Sequence, residues 1–311
     1  MSNYAVITQS LSKKFNQNTA LNDCCIEVQQ GDIYALVGCP GSGKTTLLNI
    51  LAGTVRASSG SGRIFNHRLG SQEARKIIGY VPAKPAFYSS LTVLDYLVYM
   101  GMLAGISKLE AVRRSVLLLK EIDLYSFRDK KPVDLTPGMK TKISIAQSFL
   151  PEPQLILMDE PVSGLDETGK ENILQIIKEL SLDNCATVVF SAPLWTDIES
   201  IADRISVLDK GKVLLSLETA DLRNLYGYGV FLLHTTDNQM LLNILQRVFY
   251  LKQIIQAEDD LIIVLTKERE RFRKDLPTII HNLKIGLYSF REEEVTVQTI
   301  SRYLLPGKEE G

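Results

Sequence analysis

The stretch Gly38-Cys39-Pro40-Gly41-Ser42-Gly43-Lys44-Thr45-Thr46 has the spacing G-x-x-x-x-G-K-T of a phosphate-binding loop. It follows a strand-like run, Ile33-Tyr34-Ala35-Leu36-Val37, and opens into Leu47-Leu48-Asn49-Ile50-Leu51-Ala52, which reads as a helix. That strand-loop-helix order separates it from a glycine-rich turn that merely contains Lys-Thr. Glycines at 38, 41 and 43 let backbone N–H groups approach a polyphosphate, and the helix that follows adds the positive end of its dipole. Lys44 is expected to pair with the β/γ-phosphates, and Thr45 to place its hydroxyl on Mg²⁺. Cys39 reads as a small residue that fits the loop; a thiol of lowered pKa at a helix start is the alternative.

A chain of 311 residues has room for two domains and a sizeable core. Lys and Arg number 35 against 36 Asp and Glu, a net charge of −1, so no global field recruits nucleic acid. The start, Met1-Ser2-Asn3-Tyr4, has neither the basic nor the apolar region of a signal peptide. The longest apolar run, Leu91 to Ile106, carries Asp95 and two glycines and is too short to span a bilayer. Cys24, Cys25, Cys39 and Cys185 lack metal-ligand spacing and read as reduced thiols.

In chain order, residues 4–8, 25–28 and 33–37 read as short strands, with a polar turn from Lys13 to Thr19. Phe15 stands alone in that turn, where an aromatic face could stack on a base or pack on the protein's own sheet. Ser58 to Gly62 reads as a loop, and Ile77 to Val81 as a buried strand ended by Pro82. A mainly helical block runs from Thr92 to about Leu150, with Val112, Val116, Leu119 and Ile122 at helical spacing. Within it, a turn at Leu135-Thr136-Pro137-Gly138-Met139-Lys140 precedes a helix expected over 142–150.

Leu155-Ile156-Leu157-Met158-Asp159-Glu160 is an apolar strand ending in two carboxylates, downstream of a phosphate loop. Such a pair serves a metal and a water: Asp159 is expected to hold Mg²⁺ through water and Glu160 to polarise an attacking water. Further strands are read at 186–190, 205–208 and 213–215, with a helix between Pro193 and about Ala202. Alternating strands and helices predict a three-layer α/β domain with a parallel central sheet.

Gly227-Tyr228-Gly229 marks a boundary. Beyond it the order strand (230–233), helix (240–249), strands (253–257 and 261–265), helix (268–282) and strand (284–290) is β-α-β-β-α-β, the split β-α-β arrangement of a ferredoxin-like α+β domain. Lys267 to Arg271 reads as a solvated helix start. The expected division is 1–217, a linker at 218–229, a small domain over 230–305 and a tail at 306–311.

With the phosphate loop, the Leu135–Lys140 turn, the Asp159-Glu160 strand and Ser163-Gly164-Leu165-Asp166 in this order, the chain resembles the ATP-binding subunit of an ABC transporter over about residues 4–217. The tail, closing with the run from Val295 to Leu305, resembles the small C-terminal domain of a subset that includes drug, antibiotic and sodium exporters. The resemblance implies a P-loop NTPase fold of ABC type with an N-terminal antiparallel β subdomain and a helical subdomain at about 87–150. It implies ATP and Mg²⁺ as cofactors, and assigns adenine stacking to Phe15, the Walker A loop to Gly38–Thr46, the Walker B aspartate to Asp159 and the catalytic base to Glu160. Ser163–Asp166 matches the D-loop and Leu135–Met139 the signature, which binds ATP held by an opposite subunit. The implied partners are transmembrane subunits and a second ATP-binding subunit, in a homodimer or heterodimer. The implied location is cytoplasmic, on the inner face of the cell membrane through those partners.

Three positions depart from the family pattern. Ala83 stands where the Q-loop glutamine is expected, and a methyl group ligates no metal. Pro193 stands at the switch histidine and offers neither a side-chain donor nor a backbone N–H. Pro137 replaces a signature glycine and removes an amide donor, although proline suits a helix start. The sequence reading is an ABC-type ATPase subunit with slowed hydrolysis; the alternative is a non-hydrolysing nucleotide-binding module that supports a catalytic partner.

Overall fold

The computed structural model describes residues 3–194, 198–221, 228–256 and 261–294. The expected run from Val295 to Leu305, the tail at 306–311, most of the linker and part of the helix after Pro193 lie outside these residues. The chain divides into two compact units, Met1–Thr219 and Ala220–Gly311.

The first unit opens with β1 (Tyr4–Phe15), β2 (Asn18–Cys24), β3 (Glu27–Gln29), β4 (Ile33–Val37) and α1 (Lys44–Leu51). It continues with β5 (Ser59–Ile64), β6 (His67–Arg68), α2 (Gln72–Lys76) and β7 (Ile78–Val81). Helices α3 (Val93–Leu103), α4 (Lys108–Glu121) and α5 (Pro137–Phe149) form the helical block. Then come β8 (Leu155–Met158), α6 (Glu167–Asp183), β9 (Thr187–Ala192), β10 (Arg204–Asp209) and β11 (Lys212–Glu218).

The central sheet has the order β11-β10-β4-β9-β8-β7, parallel throughout except for β11, which pairs antiparallel with β10. Strands β4, β8 and β9 are buried along their whole length. They are covered on both faces, so they read as continuous apolar runs rather than alternating ones. A second, antiparallel sheet has β1 at its centre, paired with β2, β3 and β5. Leu47, Leu48 and Leu51 of α1 share one core with Val6, Leu11 and Leu21 of the antiparallel sheet and Leu36, Leu157 and Val189 of the parallel one. Each such side chain contributes ~1.5–3 kcal/mol of burial. That shared core holds the start of α1 in place.

Local elements differ from the sequence reading at several places: β2 (Asn18–Cys24) has no counterpart there, the helix read at 240–249 is Asn238–Leu245, the strand read at 284–290 is Leu287–Glu294, and four further differences lie in the first unit. Lys13, Lys14 and Phe15 belong to β1, so the chain reverses over Asn16 and Gln17, with Asn16 in the left-handed region at φ 52°. Ser59 to Gly62 is strand rather than loop: its backbone pairs with β1, and Gly60 passes so close that a Cβ there lies 2.3 Å from Ser10 O. Ladder hydrogen bonds, which side-chain polarity does not report, decide that segment. Helix α5 starts at Pro137, five residues earlier than expected, because the Thr136 hydroxyl accepts from Met139 N at 3.3 Å and proline is tolerated at the first helical position. On α4 the buried face is Ala111, Ser115, Leu118 and Leu119, and Val112 is exposed.

The second unit has β12 (Gly229–Thr235), a helix at Asn238–Leu245, β13 (Gln253–Gln256), β14 (Ile262–Thr266), a helix at Arg269–Leu283 and β15 (Leu287–Glu294). Its sheet order is β13-β14-β12-β15, with every pair antiparallel, which is the split β-α-β topology. Phe231, Leu233, Ile262 and Val264 pack against Leu241, Leu245, Phe272 and Leu276 of the two helices. In the charged run, Arg271 lies half in solvent and pairs with Glu268 at 2.9 Å.

Candidate nucleotide site

The loop from Gly38 to Thr46 lies between β4 and α1, where the chain must turn sharply against its neighbours. A Cβ on Gly38 lies 2.2 Å from Leu208 O, and one on Gly43 lies 2.7 Å from Ala20 O at φ +109°. No side chain fits at either position. Gly43 caps α1 without a side-chain hydrogen bond, which leaves the first amides of that helix facing the loop. Gly211 N donates to Ser42 O at 2.8 Å, tying the loop to the β10–β11 turn.

Lys44 is 4% exposed, and its ammonium donates to Gly38 O at 2.6 Å and Cys39 O at 3.2 Å. It also lies 3.7 Å from Glu160 Oε1. Thr45 Oγ1 donates to Asp159 Oδ1 at 3.1 Å, although 114 residues separate them in the chain. The lysine, the threonine and both carboxylates therefore meet in one place. Within the loop the Ser42 hydroxyl, packed against Gly38, is buried without a hydrogen-bond partner among the described residues. The Thr45 hydroxyl beside the Asp159 carboxylate is a hard oxygen donor, the kind a small divalent cation takes. Among the described residues no cluster of His, Cys, Asp and Glu could hold a metal unaided, so such an ion needs the ligand's own oxygens to complete its shell.

Parallel register sets the rest of the site. Val81 and Met158 end β7 and β8 side by side, with Phe190 beside Met158 and β9 running on to Ala192, so Ala83, Glu160 and Pro193 emerge from one sheet edge. Ligands of open α/β sheets bind at that carboxyl edge. Ala83 is exposed and Pro193 half-buried. Glu160 adopts a left-handed backbone, φ 47°, at a cost on the order of 1 kcal/mol. Tyr80, on β7, donates to Asn49 Oδ1 at 3.3 Å, and burial followed by the Asp159 charge pushes its phenol up to about 12.

The remaining motif residues hold their own elements together. Asp166 caps α6 by accepting from Gly169 N at 3.0 Å, and Ser163 N donates to Glu160 O at 3.1 Å. Leu135 is buried, Thr136 and Pro137 are exposed at the start of α5, and Gly138 faces Leu165 of the turn at 163–166. Phe15 is 46% exposed at the tip of the β1–β2 hairpin, with Lys13 Nζ 4.7 Å from its ring centre. The β2 strand of that hairpin is the one that abuts Gly43. One residue of the site has no motif to announce it. Ser191, on β9, is fully buried; its hydroxyl donates to Asp159 Oδ1 at 2.8 Å and accepts from Glu160 N at 2.9 Å. Its only signal in the sequence is a hydroxyl at the end of an apolar strand.

Cys24 is buried, and burial, then Cys25 and Asp23, push its thiol up to about 12. Cys25, Cys39 and Cys185 are exposed. Native alkylation with iodoacetamide at pH 8 is expected to mark those three and spare Cys24, with ATP slowing the reaction at Cys39. Peptide mass spectrometry reads both results; labelling of Cys24 at the rate of Cys185 contradicts the burial, and unchanged labelling of Cys39 contradicts a ligand in the loop.

A phosphate loop after β4, a buried Lys44 and paired carboxylates after β8, with β9 between those two strands, in a parallel sheet flanked by an antiparallel sheet and a helical block, define an ATP-binding cassette. Residues 21–163 match the family model described as ABC transporter. An ABC transporter ATP-binding protein of Synechocystis sp. is 36% identical over 68% of this chain, and the match spans 61% of that relative's length. A lantibiotic transport ATP-binding protein of Streptococcus pyogenes is 32% identical over 70% of this chain and 92% of its own length. Among solved structures, a dimeric ATP-binding cassette in a post-hydrolysis state with ADP and Pi aligns with TM-score 0.62 and 26% identity, covering 69% of this chain and 98% of that one. The chain belongs to the ABC transporter ATP-binding proteins. Among the described residues, no helix is long and apolar enough to cross a membrane.

Proposed function

We propose that this chain binds ATP with Mg²⁺ at Gly38–Thr46, hydrolyses it slowly, and couples that cycle to movement of a substrate through separate transmembrane subunits. The observation that carries the reading is the convergence of Lys44, Thr45, Asp159 and Glu160 around one loop. Lys44 and the α1 amides take the phosphates; Thr45, with Asp159 behind it, holds the metal; Glu160 orients the attacking water and accepts its proton. Bound Mg²⁺ supplies charge neutralisation at the phosphate oxygens. The oxygen donors Thr45 Oγ1 and Asp159 Oδ1 agree with that ion. Phe15 offers its exposed ring to the adenine.

The protein works as a pair of cassettes, each site taking the Leu135–Met139 turn of the opposite subunit; exposure of Thr136 and Pro137 agrees with that role, as does the dimeric form of the similar cassette. A groove of about 430 Å³ beside α3 and α5, lined among others by Phe87, Tyr88, Tyr96 and Met100, offers the transmembrane partner an apolar seat. Tyr96 is fixed there by donating to Gln147 Oε1 at 2.5 Å. Such docking puts the chain on the inner face of the cell membrane. Slow turnover follows from Ala83, Pro193 and Pro137, since one missing donor to transition-state charge costs about 10²–10³ in rate.

The test is direct. A fluorescent ATP analogue is expected to bind the purified chain in the presence of Mg²⁺ and to be displaced by unlabelled ATP. Failure to bind, in a chain whose circular dichroism shows it folded, overturns the proposal.

A further inference from the structure

We infer that Ser191 is a positioning residue for both carboxylates of the site, setting Asp159 for the metal and Glu160 for the water through a single hydroxyl. The inference rests on the Mg²⁺–ATP reading of Gly38–Thr46. Ser191 lies on β9, the neighbour of β8, and has no exposed surface. Its proton goes to Asp159 Oδ1 at 2.8 Å, while its oxygen takes the backbone proton of Glu160 at 2.9 Å. One hydroxyl uses its donor and an acceptor lone pair together, so it ties the Asp159 carboxylate to the backbone from which Glu160 projects.

What it holds is otherwise unstable. Glu160 sits at φ 47°, a backbone region that non-glycine residues avoid, and its amide is satisfied at Ser191 rather than in the sheet ladder. Asp159 is 3% exposed, and Oδ1 receives both Thr45 Oγ1 and Ser191 Oγ. Where Ala83 and Pro193 supply no polar side chain to this sheet edge, the orientation of the acids depends on Lys44, Thr45 and Ser191. Removing the Ser191 oxygen leaves the Glu160 amide and one Asp159 lone pair without this partner, at a site where outer partners of a metal ligand typically govern affinity by about 10–100-fold.

The experiment titrates Mg²⁺ into the full chain with a fluorescent ATP analogue, comparing the native protein with Ser191→Ala and Ser206→Ala. Ser206 is an equally buried strand hydroxyl that bonds Tyr34 at 2.5 Å on β10 and serves as the control for loosened strands. Ser191→Ala is expected to raise the half-saturating Mg²⁺ concentration about tenfold, with analogue affinity in EDTA unchanged and Ser206→Ala like the native chain. An unchanged Mg²⁺ dependence in Ser191→Ala overturns the assignment alone. So does an equal shift in Ser206→Ala, or a loss of binding in EDTA as well, since either marks a structural role only. A native chain whose analogue binding ignores Mg²⁺ overturns the reading of the site itself.

Discussion

Glu160→Gln is expected to lower ATP turnover by about 10²–10³ while leaving ATP affinity intact or slightly raised. A positioned general base contributes about 10²–10⁴ in rate, and the amide keeps the shape of the side chain but accepts no proton at neutral pH. Affinity is preserved because Glu160 lies 3.7 Å from Lys44, while the ammonium keeps its bonds to Gly38 O and Cys39 O. Phosphate release under single-turnover conditions, alongside analogue titration, separates the two quantities. Equal rates in the native chain and Glu160→Gln mean that Glu160 is no base, and a native rate at background favours the non-hydrolysing module instead.

The second large effect runs the other way. Installing Ala83→Gln together with Pro193→His is expected to raise turnover by about 10- to 100-fold, because each change adds a polar group at the edge from which Glu160 projects. Ala83 is exposed, so a glutamine meets no wall, and Pro193 lies one residue beyond β9, so no ladder bond is disturbed. The gains of the single changes are not expected to multiply, since groups that act on one transition state are not independent. A double variant that binds ATP as before and turns over no faster shows that these positions do not limit the rate.

Most of the parallel sheet was legible because β4, β8 and β9 are buried on both faces and betray themselves as apolar runs. The loop was legible because close backbone approach at Gly38 and Gly43 admits no side chain, and the restriction is written in the residue types. Other features depend on partners distant in the chain. Ser59 to Gly62 is a strand because β1 supplies its hydrogen bonds, which composition cannot show. The start of α5 was set by a cap, Thr136, that the proline beside it obscured. Ser191 meets Asp159 across 32 residues through pairing of β8 and β9, a juxtaposition that exists only once the sheet is assembled. Within α4 the apolar spacing holds at Leu119 and Ile122, which are buried, and fails at Val112, which is exposed, since Ala111 and Ser115 are buried without being strongly apolar.

The common register of β7, β8 and β9 has an evolutionary consequence. Ala83 and Pro193 lie past the last paired residues of their strands, Val81 and Ala192, where a side chain can be exchanged and even an amide hydrogen deleted without breaking a ladder bond. On the proposed roles of these two positions, folding and catalytic rate are insulated from each other. Point changes along that sheet edge then reach the proposed catalytic positions without passing through an unstable ancestor.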